Sequence, residues 1–177
     1  MKTVYVDNNA TTQVAPEVLE AMIPYFTELY GNPSSMHFFG GQVQRKINEA
    51  REQVADLLRA DPSEIVFTSC GTESDNAAIL GTLDCYPERR HVVSTRVEHP
   101  AIGNLMTYLN RKGYRVTELS VDREGRLDPD AVRESLSDET AVVSVMYANN
   151  ETGVIFPIEE IGQVLKEKGI PFHTDAV

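Results

Sequence analysis

Tryptophan is absent from these 177 residues, and cysteine occurs only at Cys70 and Cys85. Two thiols that far apart form no Cys-x-x-Cys pair, so neither a zinc site nor a disulfide framework is indicated, and no metal is expected. Reduced thiols suit a cytoplasmic chain. Long apolar runs are missing as well, since none approaches the roughly 18 residues that a membrane span needs. The opening residues, Met1 to Thr12, show neither a signal-peptide core nor an Arg-rich transit pattern. Basic residues are few: Lys+Arg number 16 against 27 Asp+Glu, a formal net charge of −11. With no long basic stretch to offset that acidity, neither nucleic acid nor an anionic membrane is an expected partner. The absence of a GxGxxG turn and of a P-loop leaves a nucleotide-binding domain poorly supported.

What is present is the composition of a folded domain, 41% hydrophobic and 24% charged. Short, β-branched runs at Ile65–Phe67, Val92–Ser94, Val116–Leu119, Ala141–Met146 and Ile170–His173 are predicted strands. Helical periodicity is predicted over Glu73–Leu83, Ala101–Lys112, Pro129–Leu136 and Ile158–Lys168. Gly113 and Gly169 follow two of these as stop signals, and Asp128-Pro129 opens a third. Alternating apolar strands and helices imply an α/β architecture, a mostly parallel sheet with helices on both faces. Before residue 65 the pattern differs. An extended Val4–Asp7 runs into an Asn8-Asn9 turn. A helix then opens at Pro16, with Val18, Met22, Phe26 and Leu29 near one face and Pro24 expected to kink it. After the loop signal Gly31-Asn32-Pro33-Ser34-Ser35, a long amphipathic helix covers Gln42–Leu58. The last residues, His173 to Val177, follow a strand directly, so the chain reads as cut within a domain.

Four segments carry candidate chemistry, each at the C-terminal end of a predicted strand, the edge where open α/β sheets bind ligands. Phe67-Thr68-Ser69-Cys70-Gly71-Thr72-Glu73 is a strand, a small-residue turn and a helix start. Freed backbone N–H groups and the helix dipole suit a phosphate there, Gly71 admits close approach, and the Thr72 hydroxyl can add a bond. An ordinary capping box, Ser69 to Thr72 or Thr72 to Asp75, would leave the same spelling. In Val97-Glu98-His99-Pro100, the His99 ring suits proton transfer or stacking, although a helix cap is the more common use of such a histidine. Asn149-Asn150 can present amides to a ligand or serve a left-handed turn. In His173-Thr174-Asp175, the carboxylate could meet a metal, a hydroxyl or a protonated ring nitrogen.

Six blocks in this order resemble the N-terminal half of NifS/IscS-type cysteine desulfurases, class-V aminotransferase-like enzymes that use pyridoxal 5'-phosphate (PLP). They are Val4–Thr12, Gly31–His37, Phe67–Asn76, Val97–Ala101, Asn149–Gly153 and His173–Ala176, together spread over essentially the whole chain. The Cys-Gly-Thr-Glu-Ser and Asn-Asn-Glu-Thr-Gly spellings are closer to the NifS branch. The resemblance implies part of a fold-type I large domain from residue 16 onward, with residues 1–15 an extended segment near the substrate mouth or small domain. It implies that Gly71 and Thr72 hold the PLP phosphate. His99 would stack on the ring and act in proton transfer, making it the expected catalytic residue. Asn150 would bond the phenolic oxygen, and Asp175 would pair with the ring nitrogen. Asn8, Ala10, Thr11, Asn32 and His37 would line the substrate mouth. The implied activity converts L-cysteine to alanine and leaves persulfide sulfur for iron–sulfur cluster assembly, in a homodimer that passes sulfur to a scaffold protein. Selenocysteine lyase, another class-V PLP enzyme, and a non-catalytic binding module are the alternatives. The family's Schiff-base lysine belongs to a Ser-Gly-His-Lys block that these residues do not contain, and neither Cys70 nor Cys85 matches its persulfide-forming cysteine. The 177 residues alone are therefore expected to be inactive.

Overall fold

Runs such as His91-Val92-Val93-Ser94-Thr95 pack as strands because β-branched side chains fit a pleated surface and leave it alternately on opposite faces. A computed structural model describes residues 3–177. Strands β1 (His91–Thr95), β2 (Arg115–Leu119), β3 (Thr140–Ser144) and β4 (Phe172–His173) form one sheet in the order β2-β1-β3-β4. Every pairing in it is parallel. β1 and β3 are buried along their full length, whereas β2 at the edge exposes Arg115 and Glu118. Charges on an edge strand discourage pairing with another chain.

Helices cover both faces, as the sequence implies. The chain contains α1 (Pro16–Thr27), α2 (Phe38–Leu58), α3 (Gly71–Cys85), α4 (Pro100–Arg111), α5 (Pro129–Ser135) and α6 (Ile158–Lys168). Val92 and Val142 turn toward α3 and α4, joining Ile79, Leu83, Ile102, Met106 and Leu109 in one core. Their neighbours Val93 and Val143 turn the other way, to Val132, Phe156, Ile161 and Leu165. Each fully buried side chain of this kind contributes about 1.5–3 kcal/mol. The two-sided arrangement follows from strand order. The step from β1 to β2 runs in one direction across the sheet, and the steps from β2 to β3 to β4 run in the other. Right-handed crossovers therefore put α4 on one face and α5 and α6 on the opposite one. Between β1 and β3 the direction reverses, and a crevice opens at such a switch point.

His91 is a buried polar member of this sheet. Its Nδ1 lies 2.9 Å from the Thr140 hydroxyl and its Nε2 2.9 Å from that of Thr117. Burial, reinforced by Arg115, pushes its pKa from 6.5 down to about 4. The folded state therefore keeps His91 neutral while the unfolded chain protonates it. Its contribution is complete above pH 6.5 and is lost as pH falls toward 4. At about 1.4 kcal/mol per unit, this loss is about 3 kcal/mol. Urea unfolding of the wild type and of His91→Gln should show the difference in stability between them shifting against the wild type over that window. A difference that is constant with pH would mean that His91 is hydrated.

Residues from Thr68 onward form one compact unit, and those up to Phe67 form another. In the latter, α1 starts with Pro16 in its first turn, continues through Pro24 to Thr27, and buries no residue. The α2 helix starts four residues earlier than its periodicity suggests, because the His37 ring caps it by accepting from the Gly40 N–H at 3.2 Å. Gly40 is required there, since a Cβ would stand 2.5 Å from the Asn32 carbonyl oxygen and 2.8 Å from that of Ser35. A single 3-10 turn, Pro62–Glu64, follows α2 and is closed by a reciprocal capping box between Asp61 and Glu64.

The predicted strand Ile65–Phe67 pairs with no other strand among the described residues. The segment is held instead by Arg51, which donates to the Ile65 carbonyl and lies 4.9 Å from the Phe67 ring centre. Val66 and Phe67 stay exposed. Apolar, β-branched spelling makes a chain extended, but a ladder also needs a neighbour.

Candidate active site

The turn before α3 is built from short side chains, and its capping differs from both boxes suggested by the sequence. Cys70 occupies the N-cap without a side-chain cap bond. Glu73 reaches back instead, accepting from the Ser69 N–H at 2.7 Å and from its hydroxyl at 2.5 Å. These two bonds hold the Glu73 carboxyl below the usual range. The Thr72 hydroxyl has no hydrogen-bond partner among the described residues, and the side chain is exposed. The local field is registered by Cys70, whose thiol pKa is lowered by the Glu73 N–H, with help from the Ser69 hydroxyl. A helix start that stabilises a thiolate is also suited to a phosphate.

The end of the chain lies against this turn. A Cβ added at Gly71 would meet the Val177 side chain at 3.0 Å. Asp175 is fixed by continuation of the β3–β4 ladder, in which the Tyr147 N–H donates to its carbonyl at 2.7 Å. Its carboxylate accepts from the Val177 N–H at 3.0 Å.

His99 caps α4, with Nδ1 accepting from the Ala101 N–H at 3.2 Å. The cap suggested by the sequence is therefore real, and it fixes the ring while leaving it exposed. His99 and Asp175 both act on Asp75, one turn into α3. Asp75 is 4% exposed. Burial first, and repulsion from Asp175 second, push its pKa up to about 6 against the attraction of His99. Gly71, His99 and Asp175 thus converge at one edge of the sheet, with Asp75 among them.

Glu98, beside His99, sits in the crevice between β1 and β3. One carboxyl oxygen accepts from the Thr95 hydroxyl at 2.8 Å and from the Met146 N–H at 3.1 Å. The other oxygen is buried without a hydrogen-bond partner among the described residues. Burial pushes this carboxyl up to about 7. The sequence offered Asp75 only as a capping-box partner and gave Glu98 and His173 no role, because burial of a polar side chain depends on residues distant in the chain.

The two asparagines divide their work. Asn149 is buried, donates to the Val97 carbonyl at 3.0 Å, and accepts from Glu151, from Thr152 N–H at 2.9 Å and from the Thr152 hydroxyl. Asn150 is exposed at the tip. An apolar cavity of about 300 Å³, walled by Val97, Val121 and Phe156, lies beside this turn. Its walls offer no cation and little else for a phosphate.

Of the residues expected at a substrate mouth, all five lie in the first unit. Asn8 and Ala10 belong to one turn, where the Ala10 N–H donates to the Asp7 carbonyl at 3.2 Å. The Thr11 hydroxyl lies 2.6 Å from that of Tyr5. Asn32 accepts from the Ser34 N–H at 2.9 Å, and His37 is the α2 cap.

Known proteins share this sequence and fold. The family description "aminotransferase class-V" matches residues 4–177. A cysteine desulfurase of Trichormus azollae is 60% identical over 177 residues, which is 100% of this chain and 44% of that protein. The cysteine desulfurase NifS of Azotobacter vinelandii is 56% identical over 178 residues, again 100% of this chain and 44% of that protein. Among solved structures, a NifS-like protein superposes with a TM-score of 0.94 at 41% identity, covering 98% of this chain and 48% of the other. A second, described as SspA in complex with cysteine, gives 0.94 at 39% identity, with 98% and 50% covered. The chain spans half or less of the length of these relatives. No helix among the described residues is long and apolar enough to cross a membrane.

Proposed function

Since the chain belongs to the class-V aminotransferase family, we propose that it forms the PLP-cradling part of a cysteine desulfurase of the NifS branch. In this reading the complete protein takes L-cysteine to alanine and passes the sulfur on for iron–sulfur cluster assembly. The observation that carries the reading is the convergence at one sheet edge of a phosphate-suited helix start, a capped imidazole and a strand-end carboxylate. The relatives' shared name gives that convergence its substrate class.

The residues fit the cofactor. Thr72 offers an exposed hydroxyl, unpartnered among the described residues, at the N-terminus of α3, and Gly71 keeps that helix start free of a side chain, with Val177 alongside it. PLP, when bound, supplies an electron sink for the bond changes at the substrate's α-carbon. The chain's own residues bind and orient. Gly71 and Thr72 hold the phosphate, and Asn150 reaches the phenolic oxygen. Asp175 keeps the ring nitrogen protonated, because its carboxylate favours the cationic form. The cap on Nδ1 leaves His99 a ring face for stacking and Nε2 for proton transfer. Asn8, Ala10, Thr11, Asn32 and His37 line the mouth, with residues 1–15 associated with it. The complete protein works as a cytoplasmic homodimer with a scaffold protein as its sulfur acceptor.

The test is the absorbance of the purified complete protein together with product analysis. A band at roughly 400–430 nm, expected of the cofactor's chemistry, and alanine released from L-cysteine are the expected results. A protein that binds no PLP, or that releases no alanine, would overturn the reading.

A further inference from the structure

Ser144 ends β3 in register with His173 of β4, and the Ser144 hydroxyl lies 2.9 Å from His173 Nδ1. On the other side of the same ring, Nε2 lies 3.4 Å from Asp75 Oδ1. The tautomer that satisfies both ends carries its proton on Nε2, directed at the carboxylate, while Nδ1 accepts from the Ser144 hydroxyl. His173 and Asp75 show only 14% and 6% of their side chains to solvent. Alternation along β1 puts Ser94 on the Val92 face, and the Val93–Val143 register carries Ser94 alongside Ser144. The Ser94 hydroxyl is buried with no hydrogen-bond partner among the described residues. A row of polar groups thus underlies the sheet edge that bears Asp175, where a purely stabilising core would be apolar.

We propose that Asp75, buried and held by His173 and Ser144, is a second anion that positions and reinforces the half-buried Asp175 for a cationic ring nitrogen. The inference rests on the function proposed above and extends it to residues that would not touch the cofactor. Two observations on charge support the geometry. Asp175 lies close enough to oppose the ionisation of Asp75, adding to the effect of burial on that carboxyl. Burial also holds His173 below its ordinary value, so the ring supplies a neutral N–H and does not cancel the charge that it orients. Two carboxylates without a cation are mutually repulsive, and a cation placed between them and His99 relieves that repulsion. Glu98 also faces this edge, and it is affected by both Asp75 and Asp175. Asp75 is a positioning residue in this scheme, acting through Asp175.

The experiment uses the complete protein freed of cofactor and two probes, deoxypyridoxine 5'-phosphate and its 1-deaza analogue, which lacks the ring nitrogen. Neither can form a covalent link, so the readout is a dissociation constant. Asp75→Asn should weaken the nitrogen-containing probe about tenfold, one pKa unit's worth of lost charge interaction, and leave the deaza probe unchanged. His173→Leu should behave in the same way, and His173→Gln, which keeps an N–H donor, should recover most of the loss. Equal weakening of both probes would reduce Asp75 to a structural role, and no weakening of either would remove it altogether; each overturns the inference. If the wild type binds neither probe, the proposed function itself fails and takes the inference with it. Should Asp75→Asn fail to fold, the two His173 variants decide the matter by the same comparison.

Discussion

Asp175→Asn in the complete protein should lower desulfurase turnover by about 10²–10³-fold, the range for removal of one preorganised electrostatic contact to developing charge. Asparagine keeps the shape of aspartate, and the main chain at this position is held independently by the Tyr147 N–H. Geometry should survive, and PLP should remain attached through the lysine of the complete protein. Only the proton on the ring nitrogen loses its stabilising anion. A spectral titration separates this from simple cofactor loss, because the visible band should persist while turnover falls. Unchanged turnover would remove Asp175 from its role.

Ile102→Ala should cost about 2–5 kcal/mol of stability, the range for deleting a large aliphatic side chain from a core. Ile102 is fully buried and packs with Ile79, Val92, Met106 and Val142 between α4 and the sheet. Alanine is the better helix former, so intrinsic preference would slightly favour the variant, and the loss comes from the cavity. Urea denaturation should show the midpoint falling with little change in slope. On the exposed side of α4, Asn104→Ala should stay within about 0.5 kcal/mol. A loss below about 1 kcal/mol at Ile102 would mean that α4 does not pack on β1 and β3 as described.

Much of this fold was legible because local chemistry decides it. Asp128-Pro129 opens α5 through a bond from the Asp130 N–H, and Gly169 ends α6 at φ 61°. Alternation at Val92-Val93 and Val142-Val143 announces a sheet covered twice. Two features resisted. Ile65–Phe67 has strand spelling without a strand neighbour, and no local pattern reveals whether a partner exists. His99 was legible as a possible helix cap but His37 was not, because the periodicity of α2 begins only at Gln42, and backbone geometry shows both Nδ1 atoms accepting the N–H of a first-turn residue. At the site, residues flanking strands could be named from sequence. The buried set of Asp75, Glu98 and His173 could not, because each is defined by a contact with a distant segment. Asp75 meets β4, and Glu98 meets the end of β3.

Asn149 has a consequence of a mechanical kind. Its amide nitrogen grips the loop after β1 at Val97, and its amide oxygen gathers Glu151 and Thr152. Glu98 adds a second tie from the same loop to Met146. The segments bearing His99 and Asn150 are therefore latched together at two points, and neither can swing without breaking buried hydrogen bonds. Such a pair opens as one cooperative body. The His99 and Asn150 segments thus form a caliper of fixed width.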